Sequence, residues 1–95
     1  MTRTTYVFRL FVAGHERNSE LARINLARLC ETHLNGRHRI EIVDVLQNTA
    51  LALKWRVLVT PTLILVRPRP EVTVLGNLKD TRAVLAALGL IGGKR

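Results

Sequence analysis

The sequence predicts a single small α/β domain with the element order β-α-β-α-β-β-α, spanning residues 1–95. A chain of 95 residues has room for one hydrophobic core. Apolar residues make up 47% of the chain but aromatic residues only 4%, so Leu, Val, Ile and Ala must fill that core. Short apolar runs of strand character also alternate with stretches of helical period.

The first strand is predicted at Thr5–Ala13, where both alternating sets of side chains are largely apolar. A strand with this pattern is covered on both faces, which places it centrally in the sheet. A helix follows, with Asn18 or Ser19 as its N-cap and Asn35-Gly36 at its end. Its apolar face is predicted to contain Leu21, Ala22, Ile24, Leu26, Leu29 and Cys30.

The second strand is predicted at Arg37–Val45. Because a helix connects it to the first strand, the two strands should be parallel and the βαβ unit right-handed. Asn48 can cap a second, shorter helix. In that helix Leu51, Trp55 and Leu58 recur at positions i, i+4 and i+7, so they are predicted to form its apolar stripe.

Pro61 divides the chain. A proline cannot donate a ladder hydrogen bond, so it marks the entrance of the third strand, predicted at Thr62–Val66. A short connection rich in proline then leads to a fourth strand at Glu71–Leu75. Two strands joined in this way are expected to be antiparallel.

The last helix is predicted to begin at Asp80 or Thr81 and to end at Leu90. The complete order, with a proline directly before the third strand, is that of a thioredoxin-like fold. In that fold the proline is typically cis, so we expect a cis bond at Thr60-Pro61.

The sequence contains no recognisable catalytic or metal-binding constellation. A thiol redox enzyme of this fold needs a cysteine at the start of the first helix, and His15-Glu16-Arg17-Asn18 occupies that place. The only cysteine, Cys30, is predicted to be a structural core thiol. The histidines match no zinc-binding spacing. We therefore predict no thiol redox catalysis, no metal and no cofactor.

The charge of the chain indicates an acidic partner. The net charge is +8, and twelve of the fifteen basic residues are arginine, which favours bidentate contacts with carboxylates or phosphates. No stacking aromatic residues are interleaved with these arginines, so a solvated basic surface is favoured over a nucleic-acid groove. No apolar run reaches the roughly 18 residues of a membrane span and no signal peptide follows Met1, so we expect a cytoplasmic protein that binds no membrane.

Several segments share a pattern that is more specific than the fold. They are Thr5-Tyr6-Val7, Leu10-Phe11-Val12-Ala13-Gly14, Asn18-Ser19, Val43-Asp44-Val45-Leu46-Gln47-Asn48, Thr60-Pro61-Thr62-Leu63 and Gly76-Asn77-Leu78. Together, at these separations, they resemble the KaiB family of circadian-clock proteins. The resemblance runs from about Tyr6 to Leu90 without an evident gap.

This resemblance implies a non-enzymatic adaptor that binds a KaiC-type hexameric ATPase and modulates its phosphorylation cycle, in some systems with a KaiA-like protein as a further partner. It also implies two folds. One is a thioredoxin-like monomer that is competent to bind, and the other is a ground state, dimeric or tetrameric, in which the half after Pro61 is rearranged. Two such packings can differ by only a few kcal/mol. We predict the thioredoxin-like form, because Ala86-Ala87 favours the last helix.

The partner-binding residues are expected to be Arg9, Arg56, Thr60, Pro61 and Thr62. Arg9 and Arg56 match basic positions of the family. Other basic positions of clock KaiB proteins are occupied here by Glu41, Val72 and Thr73. The alternative function is a KaiB-related signalling or stress-response module with a different protein partner, and nucleic-acid binding ranks below both.

Overall fold

Four strands and three helices follow one another in the predicted order in a computed structural model that describes residues 4–91. Residues 1–3 and 92–95, the two ends of the predicted domain, lie outside the described part. The elements are β1 (Tyr6–Val12), α1 (Arg17–His33), β2 (His38–Asp44), α2 (Thr49–Lys54), β3 (Thr62–Arg67), β4 (Val72–Leu75) and α3 (Thr81–Ala87).

The strands form one mixed sheet in the order β2-β1-β3-β4. The parallel pairing of β1 with β2 runs from Tyr6 opposite His38 to Val12 opposite Asp44. β1 and β3 are antiparallel, as are β3 and β4. The central position of β1, the parallel βαβ unit and the antiparallel second half are therefore as predicted.

Each face of the sheet is covered by a different set of helices. Phe8, Leu10 and Val12 of β1 pack with buried residues of α1 and α3. On the opposite face, Phe11 of β1 packs with Ile64 and with α2. Because α2 has only six residues and one buried side chain, it covers only part of its face. No helix within residues 4–91 has the length and hydropathy of a membrane span.

The start of α1 differs from the prediction. Its N-cap is Glu16, whose carboxylate accepts hydrogen bonds from the amides of Asn18 and Ser19. The hydroxyl of Ser19 is fully buried and accepts from the Ala13 amide, so it holds the preceding loop instead of capping the helix. The apolar face of α1 is also narrower than predicted, because Ile24 is half-exposed.

The other two helices end earlier than predicted. α2 ends at Lys54, so Leu58 does not belong to its apolar stripe and is 93% exposed. α3 ends at Ala87 because Gly89 adopts a φ of 75°. The amides of Gly89 and Leu90 then donate to the carbonyls of Ala86 and Leu85, which is a Schellman motif.

Candidate partner-binding face

Arg9 lies on the face of the sheet that α2 covers only in part. Its Nε atom donates to Oε1 of Glu41 at 2.8 Å, and its Nη2 atom lies 2.7 Å from the same oxygen in an ion pair. Glu41 is its direct neighbour in the register of β1 and β2. The guanidinium also lies 4.7 Å from the centroid of the Trp55 ring, at the distance of a cation–π contact. Arg9 is therefore fixed between a carboxylate and an aromatic ring, with only 22% of its side chain exposed.

Arg56 occupies the turn that ends α2. Its φ is 58°, a left-handed conformation that costs a residue with a Cβ atom about 1 kcal/mol. The amides of Arg56 and Val57 donate to the carbonyls of Leu53 and Ala52, which gives a second Schellman motif with arginine at the position where glycine is usual. Its side chain is exposed. The backbone of this turn thus holds a cation at the surface.

Thr60, Pro61 and Thr62 join this turn to β3. The Thr60–Pro61 peptide bond is cis, as predicted. The Pro61 side chain is buried and Thr60 is half-buried. The hydroxyl of Thr62, also buried, donates to the Val59 carbonyl at 2.6 Å. These residues fix the course of the segment before β3, and they offer little side-chain surface to a partner.

A groove of about 380 Å³ separates this segment from β4. Leu58, Val59 and Leu75 are exposed beside it, at 93%, 53% and 62%. It is lined by Trp55, Arg56, Val57, Leu58, Val59, Thr62, Ile64, Thr73 and Leu75. Its wall is thus largely apolar, with two threonines and one cation.

The five predicted site residues therefore have different positions. Arg56 and Thr62 line the groove, and Arg9 contacts it through Trp55. Pro61 is buried and Thr60 is half-buried, and neither of them lines the groove. Prediction from sequence missed Leu58 and Leu75. For Leu58 one signal was available, because the residue before a proline, here Thr60, is biased away from helix.

The loop after β1, where a redox enzyme of this fold carries its nucleophile, is held by hydrogen bonds. Asp44 Oδ1 accepts from the amides of Gly14 and Leu46, both at 3.0 Å, and these two bonds lower the pKa of its carboxyl group. The thiol of Cys30 is fully buried in the core, and burial raises its pKa to about 12. A thiol in this state is a poor nucleophile.

No group of three or more His, Cys, Asp or Glu residues in the range 4–91 is placed to hold a metal ion. His15 contacts Glu20 at 2.6 Å, and the His38 ring contacts the Leu34 carbonyl at 2.9 Å. In both contacts the histidine ring interacts with another group of the protein. They do not converge on a common point with a third ligand.

Solved structures of related shape confirm the thioredoxin-like fold. The N-terminal domain of SasA from Synechococcus elongatus matches with a TM-score of 0.75 at 17% identity, over 100% of this chain and 93% of that domain. Chloroplastic thioredoxin z matches with a TM-score of 0.75 at 21% identity, over 93% of this chain and 80% of the other. At these identities the likeness concerns the fold alone.

Sequence comparison identifies the family. A KaiB domain model matches residues 9–90. The circadian clock oscillator protein KaiB of a Picosynechococcus species is 40% identical over 91 residues, which cover 96% of this chain and 88% of that protein. The protein of the same name from Synechococcus elongatus is 38% identical over 92 residues, covering 97% of this chain and 90% of the relative. The chain belongs to the KaiB family.

Proposed function

We propose that this protein is a non-enzymatic regulator of a circadian or related timing system that binds a KaiC-type hexameric ATPase and modulates its phosphorylation cycle. Family membership supports a role in a clock, since the similar proteins are named circadian clock oscillator proteins. The thioredoxin-like form, which the SasA domain shares, is the form that the resemblance associates with binding. The buried, protonated Cys30 argues against thiol redox catalysis.

One observation supports the position of the interface more than any other. Arg56 occupies a strained left-handed position that glycine would occupy at lower cost, and its side chain is exposed beside an apolar groove. Backbone strain of this kind often occurs at functional sites. The left-handed backbone of an exposed arginine is therefore a reason to propose a function for Arg56. The proposed interface contains Arg56, the groove beside it, and Arg9 behind Trp55.

Size-exclusion chromatography with the KaiC-type ATPase of the same organism tests this proposal. The wild type should co-elute with the ATPase in at least one nucleotide state. Arg56→Glu should weaken the complex by roughly tenfold or more, because it places a carboxylate where the partner presents acidic groups. The matched control is Arg28→Glu, the same charge change on α1 on the opposite face of the sheet.

The ATPase must also respond functionally. Addition of the wild-type protein should shift the ratio of phosphorylated to unphosphorylated ATPase over time, and Arg56→Glu should shift it less than Arg28→Glu. If the wild type forms no complex in any nucleotide state, the adaptor proposal is wrong. If Arg56→Glu and Arg28→Glu weakened binding to the ATPase equally, the effect would come from the change in net charge. The interface would then lie elsewhere on the protein.

A further inference from the structure

β4 is an edge strand, and no strand within residues 4–91 pairs with its outer side. The Gly76 amide donates to the Pro61 carbonyl at 3.0 Å, and these residues continue the register in which Leu75 lies opposite Thr62. In an antiparallel pair the hydrogen-bonded residues alternate with non-bonded ones. Val72 and Val74 therefore bond to β3. The amides and carbonyls of Thr73 and Leu75 point away from the sheet.

The two edges of the sheet differ in protection. Edge strands are commonly guarded by charged residues or proline, which oppose pairing with another chain. β2, at one edge, carries Arg39, Glu41 and Asp44 along its length. β4, at the other edge, has the sequence Val-Thr-Val-Leu and carries no charge. Within β4, therefore, no charged side chain opposes pairing with another strand.

Alternate side chains of β4 border grooves on opposite faces of the sheet. Thr73 and Leu75 line the groove of about 380 Å³ next to α2. Val74 lines a second groove of about 250 Å³, which Leu75 also borders and whose far wall contains Ala83 and Val84 of α3. A strand added beside β4 would direct alternate side chains to the two faces. The side chains on one face of the added strand would therefore enter the groove next to α2, and those on its other face would enter the groove next to α3.

The charges near this edge favour an acidic strand. No Asp or Glu occurs between Asp44 and Glu71, whereas Lys54, Arg56, Arg67 and Arg69 fall in that interval. The nearby acids are Glu71 and Asp80. The carboxylate of Asp80 is already engaged as the N-cap of α3, accepting from the Ala83 amide. Pairing with a second copy of this chain, at a net charge of +8, is opposed by repulsion.

We propose that the β4 edge binds an extended, acidic segment of a partner protein, which pairs with the outward backbone groups of Thr73 and Leu75 as a fifth strand. Its apolar side chains, at alternate positions, enter the groove beside Val74. The acidic side chains between them face the groove next to α2, where one carboxylate contacts Arg56. Strand addition of this kind derives affinity from main-chain hydrogen bonds and specificity from the side-chain grooves. The assignment of this segment to the KaiC-type ATPase rests on the proposed function.

Hydrogen exchange at single-amide resolution tests the pairing. In the free protein, the Thr73 and Leu75 amides should exchange rapidly and those of Val72 and Val74 slowly. In complex with the ATPase, Thr73 and Leu75 should gain protection of roughly tenfold or more. A complex that leaves these two amides unprotected overturns the assignment of the added strand to the ATPase and leaves the proposed function standing.

A synthetic peptide makes the inference testable without the ATPase. The probe is a short peptide that alternates valine with aspartate or glutamate, and its controls have lysine at the acidic positions or N-methyl groups on the bonding amides. The acidic peptide should bind and protect Thr73 and Leu75, and both controls should fail. Arg56→Glu should weaken binding of the acidic peptide and improve binding of the lysine peptide.

Each other outcome is decisive. No binding of the acidic peptide, together with no protection by the ATPase, overturns strand addition. Equal binding of the acidic and lysine peptides overturns the assigned charge of the occupant. Protection of Thr73 and Leu75 that appears with rising concentration of the protein alone would identify a second copy as the occupant, and would also overturn the proposal.

Discussion

The guanidinium of Arg9 lies 4.7 Å from the centroid of the Trp55 ring, and the same group forms a hydrogen-bonded ion pair with Glu41. Trp55 also contacts the core, with its ring centroid 6.5 Å from that of Phe11. This contact connects the sheet to the turn that carries Arg56. Because Trp55 is the only tryptophan of the chain, its fluorescence reports directly on this region.

Arg9→Met should lower the free energy of unfolding by about 1 kcal/mol, because a cation–π contact contributes roughly 0.5–1 kcal/mol at a partly exposed site. Urea titration followed by Trp55 fluorescence measures it. Glu41→Gln is the control, since it keeps Arg9 against the ring. It should cost less than about 0.5 kcal/mol, because Glu41 is 55% exposed and exposed ion pairs contribute little. A larger loss for Glu41→Gln would show that the ion pair dominates.

Arg56→Gly should raise the free energy of unfolding by up to about 1 kcal/mol, because glycine adopts a φ of 58° without the strain of a Cβ atom. The same change should weaken ATPase binding, since it removes the exposed cation. Arg56→Ala separates the two effects: it should weaken binding equally and bring no gain in stability. Denaturant unfolding and the chromatographic assay measure both properties. If alanine stabilised the fold as much as glycine, backbone strain would not be the cause.

The order of the elements could be predicted from the sequence because hydrophobic periodicity reports directly on which side chains are buried. The position of Leu58 could not. A helical spacing continued from Leu51 through Trp55 to Leu58, but the chain turns at Arg56 into a left-handed conformation that an arginine does not signal. The helix ends there, and Leu58 becomes 93% exposed.

The candidate site was predictable only in part, because its contacts join residues that are far apart in the sequence. Family resemblance pointed to Arg9 and Arg56, but it carried no information about the ion pair of Arg9 with Glu41, which lies 32 residues away along the chain. The groove also depends on β4, which approaches the segment before Pro61 only through the sheet register. Contacts of this kind follow from topology and not from local pattern.

Asp44→Asn should destabilise the protein at neutral pH. The amides of Gly14 and Leu46 lower the pKa of Asp44 below its ordinary value of 3.8. A lowered folded-state pKa gives stability that is present above the ordinary value and is lost as the pH falls through the folded-state pKa. Thermal unfolding of both proteins at a series of pH values measures the effect. Their difference in stability should shrink below pH 3.8, and a constant difference would contradict this assignment.

Cys30 should make the protein less stable in alkali. Burial raises its pKa from 9.0 to about 12, so the thiol ionises first in the unfolded state. Its stabilising contribution is complete below pH 9.0 and is lost as the pH rises toward 12. The slope from one group is at most about 1.4 kcal/mol per pH unit. Because other groups also titrate there, the quantity to measure is the difference from Cys30→Ala, which should be less steep. Identical slopes would contradict the prediction.

Gly89→Ala tests how firmly the second half of the chain keeps its thioredoxin-like packing. A Cβ atom at Gly89 would meet nothing within 4 Å, so the cost comes from the backbone alone, about 1 kcal/mol at a φ of 75°. Gly36→Ala is a matched control, because Gly36 has a φ of 76° and equally open surroundings but lies in the βαβ half. Amide and Cα chemical shifts measure the conformation of Thr81–Ala87.

In the wild type these shifts should be helical. Gly89→Ala should destabilise the thioredoxin-like form by about 1 kcal/mol. Strand shifts that appear across Thr81–Ala87 in this variant would show that a rearranged fold becomes populated. Gly36→Ala should bring a similar cost and leave these shifts helical, because Gly36 lies in the half that the family resemblance implies is not rearranged. Strand shifts across Thr81–Ala87 in the wild type would show that the rearranged fold is the ground state.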